Sequence, residues 1–197
     1  RIFYISFYDH ITSEECGFQC SEADQCLFYK IGKRGLIVLL LYVDDSAIIG
    51  SKEYINKTLR LIQLRFTITS EGRLHDFLGC DILRNKDEKR CYLLQPHLIN
   101  KLQRTFGKLR EVKRDYATPG TPQNILCRVK PENEDFLKKE EMKKHQSGVG
   151  SLLYLLKHSR PELSNPIREL SKRMSGANYD ATKEIYRVIG WVLHHRS

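Results

Sequence analysis

Two adjacent aspartates, Asp44 and Asp45, have the clearest potential for chemistry in this sequence. They follow a nearly continuous apolar run, residues 36–42, and precede a second apolar stretch, Ala47-Ile48-Ile49. Adjacent residues of a strand point to opposite faces, so both carboxylates can address one ion only where the chain turns. The pattern therefore predicts a β-hairpin with two carboxylates at its tip.

Carboxylate oxygens are the ligands that hard cations such as Mg²⁺ take in proteins, so the predicted tip favours a Mg²⁺ or Mn²⁺ site. Two metals held in this way are typical of nucleotidyl transfer, in which one ion activates a primer 3′-hydroxyl and the other holds the triphosphate. The alternative is an acidic turn without a function, because Asp is a common turn residue. These residues alone leave both interpretations open.

The elements around the aspartates are predicted from apolar spacing. Residues 2–15 indicate a helix that ends near Gly17, and residues 26–31 indicate a strand that turns at 32–35 into the strand of residues 36–42. Ser51 is expected to cap the next helix. The core stripe predicted for this helix is Ile55, Leu59, Ile62 and Phe66.

The rest of the chain reads as one more hairpin followed by helices. Strands at Phe77–Leu83 and Cys91–Leu94 flank a charged tip, and Pro96 opens a helix that ends at Gly107. Residues 108–146 are expected to be mostly an exposed connection, with a short helix over 134–144. Further helices are predicted from apolar residues in 149–156, 163–174 and 185–192, the last capped by Asp180.

Strands first and helices afterwards predict an α+β fold. We expect a first domain over residues 1–95 and a helical one over 96–197. The net charge of +9 is uneven: residues 1–50 carry 4 basic and 7 acidic residues, whereas residues 96–197 carry 20 and 11. A basic half suggests a polyanionic partner, although a solvated surface gives the same count.

The six cysteines include no CxxC pair and are expected to be reduced thiols. Cys16, Cys20 and Cys26 near His10 could in principle hold zinc, but their spacing fits no common zinc module. No apolar run approaches the roughly 20 residues that span a bilayer, so no membrane partner is expected.

Several motifs, taken in order, resemble copia-type retrotransposon reverse transcriptases. The run Tyr42-Val43-Asp44-Asp45 in its apolar setting is similar to the catalytic motif of that family. Other segments resemble further motifs of that family and occur in the same order along the chain. They are the lead-in Gly17-Phe18-Gln19 through Asp24-Gln25-Cys26-Leu27-Phe28, the hairpin Phe77-Leu78-Gly79, the block Val149-Gly150-Ser151-Leu152-Leu153-Tyr154-Leu155, then Ser159-Arg160-Pro161 and Leu170-Ser171-Lys172-Arg173-Met174.

The resemblance implies a partial palm with a catalytic hairpin, a primer-grip hairpin, and a helical thumb with the start of a connection. Asp44 and Asp45 would be two of three catalytic metal ligands. Tyr42 would contact the primer or template backbone, with Val43 packed beneath it, although Tyr42 could equally be a buried strand aromatic. Phe77, Leu78 and Gly79 would grip the primer end, or would simply pack the hairpin.

The basic residues of the Pro96 helix would then track template–primer phosphates, with Lys101 and Arg104 as the main candidates. The alternative is a solvated helix face. The basic residues on or just after this helix, Lys108, Arg110, Lys113 and Arg114, are further candidates for the same role, and Arg168, Lys172 and Arg173 are weaker ones.

The resemblance also implies an RNA-directed DNA polymerase that uses an RNA or DNA template with a primer, dNTPs and Mg²⁺ or Mn²⁺. The third catalytic Asp is expected before Arg1, so the isolated chain should be inactive. Its partners would include the other segments of the Pol polyprotein, the upstream fingers and palm and a downstream ribonuclease H. The location would be intracellular, in a cytoplasmic retrotransposon particle or the nucleus. The alternatives are a degenerate remnant that binds nucleic acid without catalysis, and a truncated product without a function.

Overall fold

An antiparallel sheet with strand order β1-β2-β3-β4 organises the first of two units, Arg1–Leu74. The computed structural model describes residues 2–33, 35–87, 89–126 and 136–196. The strands are β1 (Gln19–Cys20), β2 (Leu27–Gly32), β3 (Gly35–Tyr42) and β4 (Asp45–Ile49). The predicted hairpin with carboxylates at its tip is confirmed, because β3 and β4 pair directly on either side of a two-residue turn.

The core of this unit lies on one face of the sheet. Along β3, Ile37, Leu39 and Leu41 are buried and alternate with more exposed residues, as expected for a strand with one covered face. Helices α1 (Ile2–Ile11) and α2 (Lys52–Gln63) contribute to the same core. The core consists of Phe7, Ile11, Cys16, Phe18, Phe28, Ile37, Leu39, Leu41 and Ile62.

Helix α2 begins as predicted, because the Ser51 side chain accepts a hydrogen bond from the backbone N–H of Tyr54. Its predicted core stripe is confirmed only in part: Ile62 is buried, but Ile55 and Leu59 are half-buried. The fourth stripe residue, Phe66, lies beyond the end of the helix. Thr58 is buried instead, which its polar side chain did not suggest.

The second unit, His75–Ser197, begins with a sheet of order β5-β6-β7. Its strands are β5 (Asp76–Phe77), β6 (Cys80–Arg84) and β7 (Cys91–Leu94). The prediction of one strand from Phe77 to Leu83 is wrong, because the chain reverses at Leu78-Gly79 and Phe77 pairs with Cys80. The prediction of a second hairpin is confirmed in the pairing of β6 with β7.

Four longer helices and one 3₁₀ turn complete this unit. They are α3 (Pro96–Phe106), α4 (Lys139–His158), the 3₁₀ turn (Pro161–Leu163), α5 (Ser164–Ser171) and α6 (Tyr179–His194). All of them bury apolar residues in one core, which includes Phe106, Leu152, Leu163, Ile167 and Val188. The inward residues predicted for the last helix, Ile185, Val188, Ile189 and Val192, are all buried. No helix in the described ranges is both long enough and apolar enough to cross a bilayer.

Two predicted helix boundaries are wrong. The predicted short helix over 134–144 and the helix marked by residues 149–156 are one continuous helix, α4. It passes through Gly148, which is buried, and a Cβ at Gly148 would approach Ile185 Cδ1 to 2.7 Å. Asp180 is not the cap of α6, because Asn178 caps it by accepting from the backbone N–H of Ala181.

The connection after α3 is less exposed than predicted, because Val112 and Leu126 are buried. Two buried glutamates anchor its end. Glu184 accepts hydrogen bonds from the N–H and Oγ1 of Thr121 and from Asn124, and Glu169 accepts from the N–H of Leu126 at 3.0 Å. Residues 127–135, which include Cys127 and the start of the predicted 134–144 helix, lie outside the described residues.

The division of the chain falls between Leu74 and His75, and the second hairpin lies in the same unit as the helices. The domain boundary expected after residue 95 stays a prediction.

Glu169 gives the second unit a pH dependence. The ammonium group of Lys172 donates a hydrogen bond to its carboxylate and is the largest influence that lowers the pKa of Glu169 below its ordinary value of 4.5. Burial acts in the opposite direction, and the Leu126 N–H and the nearby Lys172 and Arg168 charges lower the pKa further. A carboxyl group whose pKa is lower in the folded state stabilises the fold above its unfolded pKa. This stabilisation is lost as the pH falls through the folded pKa.

We therefore expect the free energy of unfolding to fall with pH below about 4.5 more steeply in the wild type than in Glu169→Gln. The measurement is urea unfolding at a series of pH values. Lys172→Met should shift the acid loss to higher pH, because it removes the main cause of the lowered pKa. Parallel profiles for the wild type and Glu169→Gln would contradict the assignment.

Candidate functional site

The tip of the β3–β4 hairpin brings together Tyr42, Val43, Asp44 and Asp45. Tyr42 and Asp45 are directly opposite each other across the antiparallel pair, and Val43 and Asp44 form the turn between them. Directly opposed residues in such a pair have side chains on the same face of the sheet. Tyr42 and Asp45 therefore share the face that is turned away from the core residue Leu41.

All four residues of the tip are exposed. Tyr42 retains 56% of its accessible surface, so it is not the buried strand aromatic that the sequence left open. Val43 retains 69%, so the expectation that it packs beneath the tyrosine is wrong. Neither aspartate side chain has a hydrogen bond or ion pair to another described residue, and both residues are exposed.

The backbone at Val43 is unusual. Its φ is +55°, in the left-handed region, where a β-branched residue is rarely found. Such conformations cost about 1 to 3 kcal/mol and persist where the surrounding structure imposes them. Here the pairing of β3 with β4 up to Tyr42 and Asp45 imposes the turn.

The donor set at the tip consists of carboxylate oxygens, which are ligands for hard divalent cations. Among the described residues, no third His, Cys, Asp or Glu joins Asp44 and Asp45 in a group whose ligand atoms lie within 4.8 Å of one another. The possible zinc ligands His10, Cys16, Cys20 and Cys26, all of them described, likewise form no group of three ligand atoms within 4.8 Å of one another, although Cys16 Sγ is 3.8 Å from His10 Nε2. The five described cysteines are free thiols, as predicted.

The second predicted contact region is a tight turn at Leu78-Gly79. Both residues have positive φ, +52° and +70°, as a type I′ hairpin turn requires. Phe77 and Leu78 are half-buried and Gly79 is exposed. The glycine adopts this conformation without the steric cost that a side chain would add.

Tyr154 of α4 supports this turn, and sequence reasoning gave it no role. Its hydroxyl donates a 2.7 Å hydrogen bond to the carbonyl oxygen of Leu78. The tyrosine ring lies 4.3 Å from the ring of His158, whose Nδ1 is 2.9 Å from the Tyr154 carbonyl oxygen. No local pattern could have revealed the contact between Tyr154 and Leu78, because the two residues are 76 positions apart in the sequence.

The candidate basic residues of α3 lie on its solvent-exposed side. Lys101 and Arg104 are exposed, whereas Ile99, Leu102 and Phe106 of the same helix are buried. Neither side chain forms an ion pair with a described residue. Of the further basic residues, Arg114 packs near the Tyr116 ring at 5.7 Å, and Arg168 and Lys172 pair with Glu169.

Comparison with known proteins points to one class, the retrovirus-related Pol polyproteins of transposons. The chain is 24% identical over 199 residues to the Pol polyprotein from transposon TNT 1-94 of Nicotiana tabacum, and 27% identical over 200 residues to that from transposon RE2 of Arabidopsis thaliana. It is also 23% identical over 193 residues to the putative transposon Ty5-1 protein of Saccharomyces cerevisiae.

These similarities extend over nearly the whole chain but over a small part of the larger relatives. They cover 99% of this chain but 14% and 13% of the tobacco and Arabidopsis polyproteins, and 96% of this chain and 60% of the yeast protein. No family model matches the chain, and no solved structure matches it. The sequence therefore resembles one segment of a retrotransposon Pol polyprotein.

The positive φ of Gly79 predicts that Gly79→Ala destabilises the second unit by about 1 to 2 kcal/mol, the cost of a left-handed backbone with a side chain. A Cβ there would meet Tyr154 Oη at 3.8 Å, an ordinary contact, so the cost should come from the backbone alone. Urea unfolding measures it.

The matched control is Gly150→Ala in helix α4, where a Cβ would meet no atom within 4 Å. This substitution should stabilise the protein by up to about 1 kcal/mol, because alanine favours a helix over glycine. Equal effects of the two substitutions would show that the turn conformation at Gly79 does not matter.

Proposed function

We propose that this chain is the segment of a retrotransposon reverse transcriptase that contributes two carboxylates, Asp44 and Asp45, to a two-metal nucleotidyl transfer site. The observation that carries the proposal is the exposed hairpin tip, on which Asp45 shares a sheet face with Tyr42. Similarity to transposon Pol polyproteins over 99% of the chain supports it.

Asp44 and Asp45 would hold Mg²⁺ or Mn²⁺ through their carboxylate oxygens. When bound, the metal ions activate the primer 3′-hydroxyl and stabilise the charge that develops on the transferred phosphate. The exposed aspartates need no displacement of an ion-pair partner within the described residues before they bind. In this proposal the third carboxylate comes from another segment of the polyprotein, as the resemblance implies.

Tyr42 would lie against the nucleic acid beside the metal ions, because its ring is exposed on the face that Asp45 shares. The Leu78-Gly79 turn, with Phe77 before it, would contact the primer end. The hydrogen bond from Tyr154 supports this role, because it holds the carbonyl group of the turn in one orientation. Packing of the hairpin is the alternative role for Phe77 and Leu78.

Lys101 and Arg104 would bind phosphates of the template–primer duplex. Both are exposed on the side of α3 opposite its buried residues, so they can contact a polyanion without disturbing the core. Such contacts give affinity that does not depend on sequence and that falls as salt rises.

The catalytic proposal is tested by primer extension on an RNA template with Mg²⁺. Residues 1–197 alone should not extend a primer, whereas a longer Pol segment that includes this chain should. In that longer segment, Asp44→Asn and Asp45→Asn should each lower the rate roughly 10³-fold or more, because charge stabilisation at the reacting phosphate is lost.

The control is Asp87→Asn, which changes an exposed aspartate near the tip of the second hairpin and should leave the rate unchanged. Extension by residues 1–197 that Asp44→Asn abolishes would show that the third ligand lies within this chain. Extension by the longer segment that survives both aspartate substitutions would disprove the proposal.

The binding proposal is tested by the salt dependence of affinity for an RNA–DNA duplex. Replacing Lys101 and Arg104 together by Ala should reduce the slope of log affinity against log salt by about 1 to 2, since each lost phosphate contact removes about 0.9. The control replaces Lys139 and Lys143, exposed residues of α4, and should keep the wild-type slope.

An unchanged slope in the Lys101 and Arg104 double variant would place the interface elsewhere. Normal binding by a longer segment that does not extend primers would favour the alternative function, a remnant that binds nucleic acid without catalysis.

A further inference from the structure

A cavity of about 640 Å³ lies within the second unit, where the end of β7 meets the start of α3 and the junction between α4 and the 3₁₀ turn. Its size is in the range of small-molecule sites, roughly 300 to 1,000 Å³. All of its lining residues belong to residues 91–196, and none of them is among the residues assigned above to metal or template–primer binding.

Gln95 provides an unused donor in the lining of this cavity. The residue is 2% exposed, and its Oε1 accepts a 2.7 Å hydrogen bond from Ser159 Oγ, which also lines the cavity. Its Nε2 is buried and has no partner among the described residues. A buried amide donor without a partner is unfavourable, so a ligand that accepts a hydrogen bond from it would relieve this cost.

Arg160 provides a second unused donor in the same lining. It is 8% exposed; its Nε donates to the carboxylate of Glu162, and its guanidinium carbon lies 5.2 Å from the centre of the Trp191 ring. Its Nη1 is buried and has no partner among the described residues. Because guanidinium groups bind phosphate and carboxylate groups well, an anion is the matching ligand.

The electrostatic setting also favours an anion. Gln95 is the residue before the first turn of α3, and both Gln95 and Pro96 line the cavity, so the positively polarised end of this helix lies at the cavity. Arg196 adds a second positive charge to the lining, while its Nη2 donates to Gln103 Oε1. Glu162 carries a negative charge there and offsets one of the two arginines.

Much of the remaining lining is apolar. It includes Tyr92 and Leu93 of β7, which keep 49% and 47% of their surface exposed, together with Pro96 and Pro161. A ligand that fits this site has an anionic end and a flat, largely apolar body. We propose that the cavity binds a nucleotide, with its phosphate at Gln95 and Arg160 and its base against Tyr92.

The single tryptophan of the chain reports on this site, because Trp191 lies against Arg160. The experiment titrates the 197-residue chain with dAMP, inorganic phosphate and deoxyadenosine, and follows tryptophan fluorescence. dAMP should give a saturable change and should bind at least about tenfold more tightly than either part, because only dAMP uses both regions of the lining.

Phosphate that binds as tightly as dAMP would overturn the assignment of a nucleotide. Deoxyadenosine that binds as tightly would overturn the role of the buried donors. A titration without a saturable change for any of the three would overturn the site itself.

Two variants test the residues separately. Gln95→Glu keeps an oxygen that accepts from Ser159 but replaces the donor by a negatively charged group, and should weaken dAMP binding at least about tenfold. Tyr92→Ala removes a half-exposed ring and should weaken dAMP binding about fivefold or more, with little effect on phosphate binding. The matched control, Gln63→Glu, makes the same change at an exposed glutamine outside the cavity and should bind dAMP as the wild type does.

Thermal melting by circular dichroism identifies a variant that fails to fold. If Gln95→Glu is unfolded, Tyr92→Ala still decides, because its side chain is half-exposed and its loss disturbs little packing. Wild-type dAMP affinity in a folded Gln95→Glu or in Tyr92→Ala would overturn the proposal. The outcome is independent of the metal-site proposal, since neither residue belongs to the first unit.

Discussion

The register of β3 against β4 is the constraint on which the candidate metal site depends. Because side chains alternate along a strand, a slip of one residue would exchange the two faces of β3. Leu39 and Leu41 would then leave the core, and Tyr42 would enter it. The burial of these leucines therefore fixes the exposed position of Tyr42 and its partner Asp45, and the strand pairing in this register imposes the turn in which Val43 has positive φ.

Much of the first unit could be predicted from the sequence because its signals are local. A continuous apolar run next to two aspartates predicts a hairpin whatever lies elsewhere, and the structure has it at β3–β4. Ser51 as a helix cap and Pro96 as a helix start are also local rules, and both are confirmed. The resemblance to reverse transcriptases added an interpretation of these residues, and the similarity to transposon Pol polyproteins supports its coarser part.

The errors arise where tertiary contacts override local preference. Leu78 was predicted to lie in a strand because it belongs to the apolar stretch before the charged tip, yet it has positive φ in a turn held by a hydrogen bond from a residue of α4. Helix α4 continues through Gly148, where a glycine lets α6 approach closely and burial outweighs poor helix propensity. The buried donors of Gln95 and Arg160 are likewise invisible in sequence, because their environment is assembled from segments 64 positions apart.

The Leu78-Gly79 turn has a consequence for the handedness of the residues that it accepts. An L-amino acid at position 79 must adopt a backbone conformation that its own chirality disfavours, whereas a D-amino acid prefers that conformation. A chemically synthesised chain with D-alanine at this position would match the backbone of the turn and would restrict the unfolded chain. Position 79 therefore disfavours an L-side chain but suits its mirror image, because the two chiralities prefer opposite signs of φ.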